Sequence, residues 1–155
     1  MNRVLTVAYF AVICIVLIGF SIYDIRTRRV PNRALAAFSP IVLLCPFLPG
    51  AESLFHALIQ SLFGAACGFG VLLTAALVSK DGSGIGGGDI KLAGLIGFVF
   101  GPYRIMAILL LATLLAAPVA LIYTCKKKSR TFLQIAFVPF MTAGSLIVAV
   151  AKLIT

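Results

Sequence analysis

The stretch Val4–Tyr23, VLTVAYFAVICIVLIGFSIY, is twenty residues long without a charge, and its reading decides the fold class. At about 1.5 Å per residue it makes about 30 Å of helix, the thickness of the hydrocarbon core of a bilayer. It follows directly on Met1-Asn2-Arg3, as the core of a secretory leader would, but it has span length and no A-x-A-like site precedes Asp24. It is read as a first transmembrane helix. Charge-free runs recur at Ala34 to about Pro49, Ser53–Ser79, Leu92–Tyr103, Ile105 to about Thr124 and Phe132 to about Ala151. Together they predict an all-α, polytopic membrane bundle of six transmembrane helices, one domain over residues 1–155. Composition agrees: 62% of residues are hydrophobic, 11% charged and the mean hydropathy is +1.17, whereas globular chains carry about a quarter charged residues. No length remains for a second folded domain outside the bilayer.

The fourth run is the irregular one. Leu92–Tyr103 would make only about 18 Å of helix before the turn signal Gly101-Pro102. Either Ile90-Lys91 and Arg104-Ile105 extend it with snorkelling ends, or its first turn lies below the membrane surface and places Asp89 in a recess. Gly64-x-x-x-Gly68 and Gly97-x-x-x-Gly101 have the spacing that lets helix backbones approach closely in lipid, and are read as packing seams.

Charge sets the orientation. Ten of the thirteen Lys and Arg residues fall after the first, third and fifth runs, including Arg26, Arg28, Arg29, Arg33, Lys91 and the cluster Lys126-Lys127-Lys128-Ser129-Arg130. This bias puts those loops in the cytoplasm and both termini on the other side. It also explains the net charge of +9 without nucleic acid. Cys14, Cys45, Cys67 and Cys125 are scattered singly, as packing residues rather than disulfides or metal ligands.

Against this background only four acidic residues occur: Asp24, Glu52, Asp81 and Asp89. Asp24 closes the first run, and Asp89 joins Gly84-Ile85-Gly86-Gly87-Gly88 to the apolar Leu92-Ala93-Gly94 segment, so both lie on the predicted cytoplasmic face. A carboxylate costs roughly 3 kcal/mol at the membrane centre and less towards the interface. Two such groups at one depth suit amide hydrolysis: one ionised acid activates water while the other, protonated, polarises the carbonyl. Like charges held close share a proton and split their apparent pKa values. The glycines would let a peptide main chain approach the acids. The plainer alternative is that Asp24 and Asp89 cap helices or pair with Arg26 and Lys91, Asp89 standing where an N-cap belongs. Spacing alone leaves both open.

Two motifs carry a resemblance. Ser21-Ile22-Tyr23-Asp24-Ile25-Arg26-Thr27-Arg28-Arg29-Val30-Pro31-Asn32 is similar to the segment of type IV prepilin peptidases in which an Asp is followed by basic residues and Ile/Val-Pro-Asn. Gly86-Gly87-Gly88-Asp89-Ile90-Lys91-Leu92 resembles their G-x-G-D motif with its trailing Lys, and Phe137-Val138-Pro139-Phe140-Met141 the Pro-Phe patch of their last helix. The resemblance spans roughly Ile22 to Gly144. It implies a membrane aspartic endopeptidase of the prokaryotic inner membrane that removes the basic leader of prepilins or pseudopilins at the cytoplasmic face. Asp24 and Asp89 would be catalytic, and Gly86, Gly87, Gly88 and Lys91 would contact substrate. Neither metal nor other cofactor is implied, and membrane lipid is the expected surrounding partner. The absence of a Cys-x-x-Cys insertion resembles the short, peptidase-only branch without methyltransferase activity. One departure is the spacing of Lys80-Asp81-Gly82-Ser83-Gly84, slightly longer than in larger relatives; Asp81 is either a solvated loop residue or a contact for the leader's basic residues.

Other chemistries fail on sequence. There is no H-E-x-x-H, and the single histidine, His56, has no second imidazole to share a metal. Gly82-x-Gly84-x-x-Gly87 follows a membrane run rather than a strand, which removes the dinucleotide reading. The rival from another class is a small transporter or assembly subunit using its carboxylates as proton or ion sites. Such a protein would carry its acids near mid-membrane, whereas these lie at one edge.

Overall fold

The computed structural model describes residues 2–27, 30–47, 53–78, 86–126 and 136–154. Among them are six α-helices, one short 3-10 turn and no strand: α1 (Asn2–Thr27), α2 (Asn32–Leu43), the turn Cys45–Phe47, α3 (Leu54–Val78), α4 (Gly87–Phe100), α5 (Pro102–Lys126) and α6 (Val138–Ile154). The all-helical expectation is met, one helix for each apolar run. Three helical stretches, Val4–Thr27, Leu54–Val78 and Pro102–Ile122, are long and apolar enough to cross a membrane. Asn32–Phe47 and Val138–Ala151 are apolar but shorter. Ile15, Ile22, Leu62, Phe63 and Leu114 lie exposed on the outer faces. Apolar surface of that extent needs lipid rather than water, and the chain is a membrane protein.

The short fourth helix is the centre of the bundle. Eight of the 14 residues of α4 are buried, and it packs against α2, α3, α5 and α6. A helix apolar all round is a buried one. Of the two sequence readings, the extension through Arg104-Ile105 fails: Gly101, at φ +80°, ends α4 and its N–H donates to Gly97 O at 2.8 Å. Pro102 then opens α5 at the first helical position, where its missing N–H costs nothing.

The glycine seams are where α3 meets α4. A Cβ on Gly64 would collide with Gly97 O and Gly101, and one on Gly68 with Ala93 O. On the other side of the core, a Cβ on Gly144 of α6 would stand 2.9 Å from Ile108 O of α5. Main chain thus lies directly on main chain, the contact through which van der Waals packing holds helices together in lipid.

Polar groups inside the bundle are satisfied locally. Pro40 cannot donate to Ala36 O within α2, and the Ser39 hydroxyl donates to that carbonyl instead, at 2.9 Å. The Tyr9 hydroxyl donates to Ile41 O at 3.2 Å, a carbonyl of the last turn of α2 that lacks a helical partner. The buried Thr142 hydroxyl of α6 lies 3.2 Å from Leu17 O and 2.9 Å from Val138 O, tying α6 to α1.

Candidate active site

Asp24 extends the buried stripe of α1. Phe10, Ile13, Leu17 and Phe20 follow helical spacing on one buried face. Asp24 falls one turn beyond Phe20 on that face and is only 3% exposed. Sequence placed it at the end of the helix, whereas α1 continues to Thr27. Its Oδ2 accepts a hydrogen bond from the Val138 N–H at 3.3 Å. Val138 is the first residue of α6, where backbone donors have no partner within the helix. The positive end of the α6 dipole therefore faces the carboxylate. The capping role named as the plainer alternative is real for Asp24, but the helix that it caps is α6.

Asp89 lies in the first turn of α4, not at its N-cap. Gly86 is the N-cap, with φ −68° and ψ 139°, and its carbonyl accepts from Asp89 N at 3.0 Å and Ile90 N at 3.3 Å. The Gly86 N–H donates back to the Asp89 carboxylate. This is the acidic half of a capping box, in which the third helical residue reaches back to the cap. Asp89 is half-buried. Burial, and then the negative charge of Asp24, push its carboxyl up from 3.8 to about 6, with the Gly86 N–H pulling the other way. The two acids, far apart in the chain, are thus electrostatic neighbours.

What joins them is the first motif lying on the second. A Cβ at Gly88 would stand 2.7 Å from Val30 Cβ and 2.9 Å from Val30 O, so only glycine lets the segment after α1 rest on the first turn of α4. Beside that contact the Lys91 Nζ donates to Asn32 Oδ1 at 3.1 Å. Lys91 therefore bonds to Asn32 and not to Asp89, and Asp24 accepts from Val138 rather than from Arg26. Gly86 and Gly87 are exposed, and a Cβ on Gly87 would meet nothing within 4 Å. The four residues expected to contact substrate thus divide: Gly88 and Lys91 are engaged with the segment after α1, Gly86 with Asp89 and Ile90 of the first turn of α4, and Gly87 alone of the four faces open space. Asp81 and the rest of the glycine strip up to Ile85 lie outside the described residues.

The family model of the type IV leader peptidases matches residues 11–121, a segment that contains both acids and the two interlocked motifs. The chain belongs to the type IV leader peptidase family. The prepilin leader peptidase/N-methyltransferase of Bacillus subtilis strain 168 is 33% identical to it over 133 residues, 84% of this chain and 50% of that relative. The chain accordingly spans about half the length of the curated relative that it matches. No solved structure matches the chain.

Two elements of this candidate site escaped the sequence. Val138, the donor to Asp24, lies 114 residues away and beyond the segment matched by the family model. Val138 itself stood, with Phe137 and Pro139, in a patch that carried a resemblance alone, and nothing there pointed to Asp24. Asn32 stood inside the first motif, but nothing local pairs it with Lys91.

Proposed function

We propose that this chain is an aspartic endopeptidase that hydrolyses the leader of a prepilin-type precursor, with Asp24 and Asp89 as the catalytic couple. The observation that carries the reading is the coupling of the two acids, each at its family motif position: Asp89 is raised to about 6 by burial and by the charge of Asp24. In the cycle that we propose, the couple holds one proton. The ionised member takes a proton from water as the oxygen attacks the scissile carbonyl, and the protonated member donates to the developing oxyanion. The newly protonated member then gives its proton to the leaving amine while the other recovers one from a hydroxyl of the collapsing gem-diol, giving two peptides and restoring the singly protonated couple.

Asp89 is the member that carries the proton in this scheme, since Asp24 sits on the dipole of α6. Gly86 and Gly87, both exposed, let an extended substrate segment approach closely, and Gly87 offers it a backbone N–H of the first helical turn. Gly88 and Lys91 are positioning residues that keep the two motifs in contact. The basic residues after α1, the third and the fifth helices support a multi-pass protein of the prokaryotic inner membrane with six spans, both termini outside and the site at the cytoplasmic face. A single domain without methyltransferase activity fits the singly scattered cysteines.

Co-expression with a prepilin tests the reading. Leader removal is expected with the wild-type chain and is expected to be lost in Asp24→Asn and in Asp89→Asn at equal protein levels. Processing that survives in both variants would end the peptidase assignment.

A further inference from the structure

An open groove of about 650 Å³, lined by neither acid, lies between α2, α3 and α4, with Asn32 and Lys91 at one end. The rest of its lining is apolar, and its walls are kept low by Ala36, Ala65, Ala66 and Gly94. Leu62 and Phe69 along it are exposed, as surface in contact with lipid would be. Lys91 and Phe98 mark its extent along α4, about 10 Å apart at about 1.5 Å per residue. A transmembrane helix needs about 30 Å, whereas one leaflet of the hydrocarbon core is about 15 Å deep. The dimensions fit an acyl chain of a single leaflet and not a spanning peptide.

The mouth supplies charge. Lys91 is exposed and gives Asn32 one hydrogen bond at 3.1 Å, and an ammonium group has three N–H donors. A cation beside an apolar groove is complementary to a phosphate headgroup attached to a hydrocarbon tail.

We infer that this groove is a binding site for one anionic phospholipid, with the headgroup phosphate on Lys91 and an acyl chain between α2, α3 and α4. The inference is independent of the peptidase chemistry. It goes beyond a general lipid environment in naming one site, one headgroup charge and one bound molecule. The site also adjoins the contact of Lys91 with Asn32 that holds the two motifs together.

Native mass spectrometry of the full chain in detergent, with phosphatidylglycerol or phosphatidylcholine added at stoichiometric amounts, tests it. One phosphatidylglycerol is expected to stay bound, in about fivefold preference over phosphatidylcholine, the contribution of one lysine near an anionic headgroup. Lys91→Gln is expected to abolish the preference. Ala66→Phe fills the groove from an exposed position and is expected to abolish retention of both lipids. Ala36→Phe does the same from the α2 wall, and serves if circular dichroism shows Ala66→Phe to be unfolded. Three results would overturn the proposal: a preference that survives Lys91→Gln, lipid retained in the folded Phe variants, or a photoreactive side chain at position 66 that captures peptide instead of lipid in native membranes.

Discussion

Replacing Asp24 by Asn should change the titration of a residue on another helix. The Asp89 carboxyl is raised from 3.8 to about 6, first by burial and second by the charge of Asp24. Burial is the larger of these two causes, so the charge of Asp24 accounts for at most about half of a rise of about two pH units, that is about one unit or about 1.4 kcal/mol. Asp24→Asn removes that charge but keeps a side-chain oxygen to accept the Val138 N–H, so α6 stays in place. The Asp89 midpoint should fall by up to about one pH unit and remain above 3.8, because burial persists. Carbon-13 NMR of protein labelled at aspartate carboxyl groups reads this directly. The chain has only three aspartates, Asp24, Asp81 and Asp89, so assignment by substitution is short work. An Asp89 midpoint that does not move would show that the two acids do not sense each other, and would refute the reasoning behind the couple.

Other outcomes follow from the same contacts. Asp24→Ala leaves the buried Val138 N–H without an acceptor and should cost about 1–3 kcal/mol more stability than Asp24→Asn, measured by thermal or denaturant unfolding in detergent. Gly87→Phe should slow leader cleavage at unchanged unfolding temperature, since a side chain there meets no neighbour within 4 Å, whereas Gly88→Val should lower both by pushing Val30 off α4. Gly64→Leu drives a side chain into Gly97 O and Gly101; a loss of about 1–3 kcal/mol or more is expected, seen as a lower unfolding temperature and folded yield.

Much of this architecture was legible because bilayers simplify the sequence code. Charge-free runs marked all six helices, and Gly101-Pro102 marked the break between α4 and α5. The seam glycines could be named because close backbone approach in lipid needs small residues. The site was half legible. Asp24 and Asp89 stood out as scarce acids next to apolar runs, but their apposition depends on Gly88 receiving Val30 and on Lys91 reaching Asn32. Both contacts cross the chain and leave no periodic signal. Asp89 looked like an N-cap because helix starts are read from polar residues, while Gly86 caps α4 without a side chain. The bond from Val138 to Asp24 was beyond pattern reading for the same reason, since a backbone N–H has no letter in the sequence.

The pH dependence of kcat/KM for leader cleavage by the purified chain in nanodiscs tests the shared proton most directly, since that ratio reports the ionisation of the free enzyme. With Asp89 at about 6, the rate should fall above pH 6 with a one-proton slope, and both Asp24→Asn and Asp89→Asn should be inactive throughout. A profile that stays flat from pH 5 to about 8, or cleavage that persists in either variant, would contradict the account.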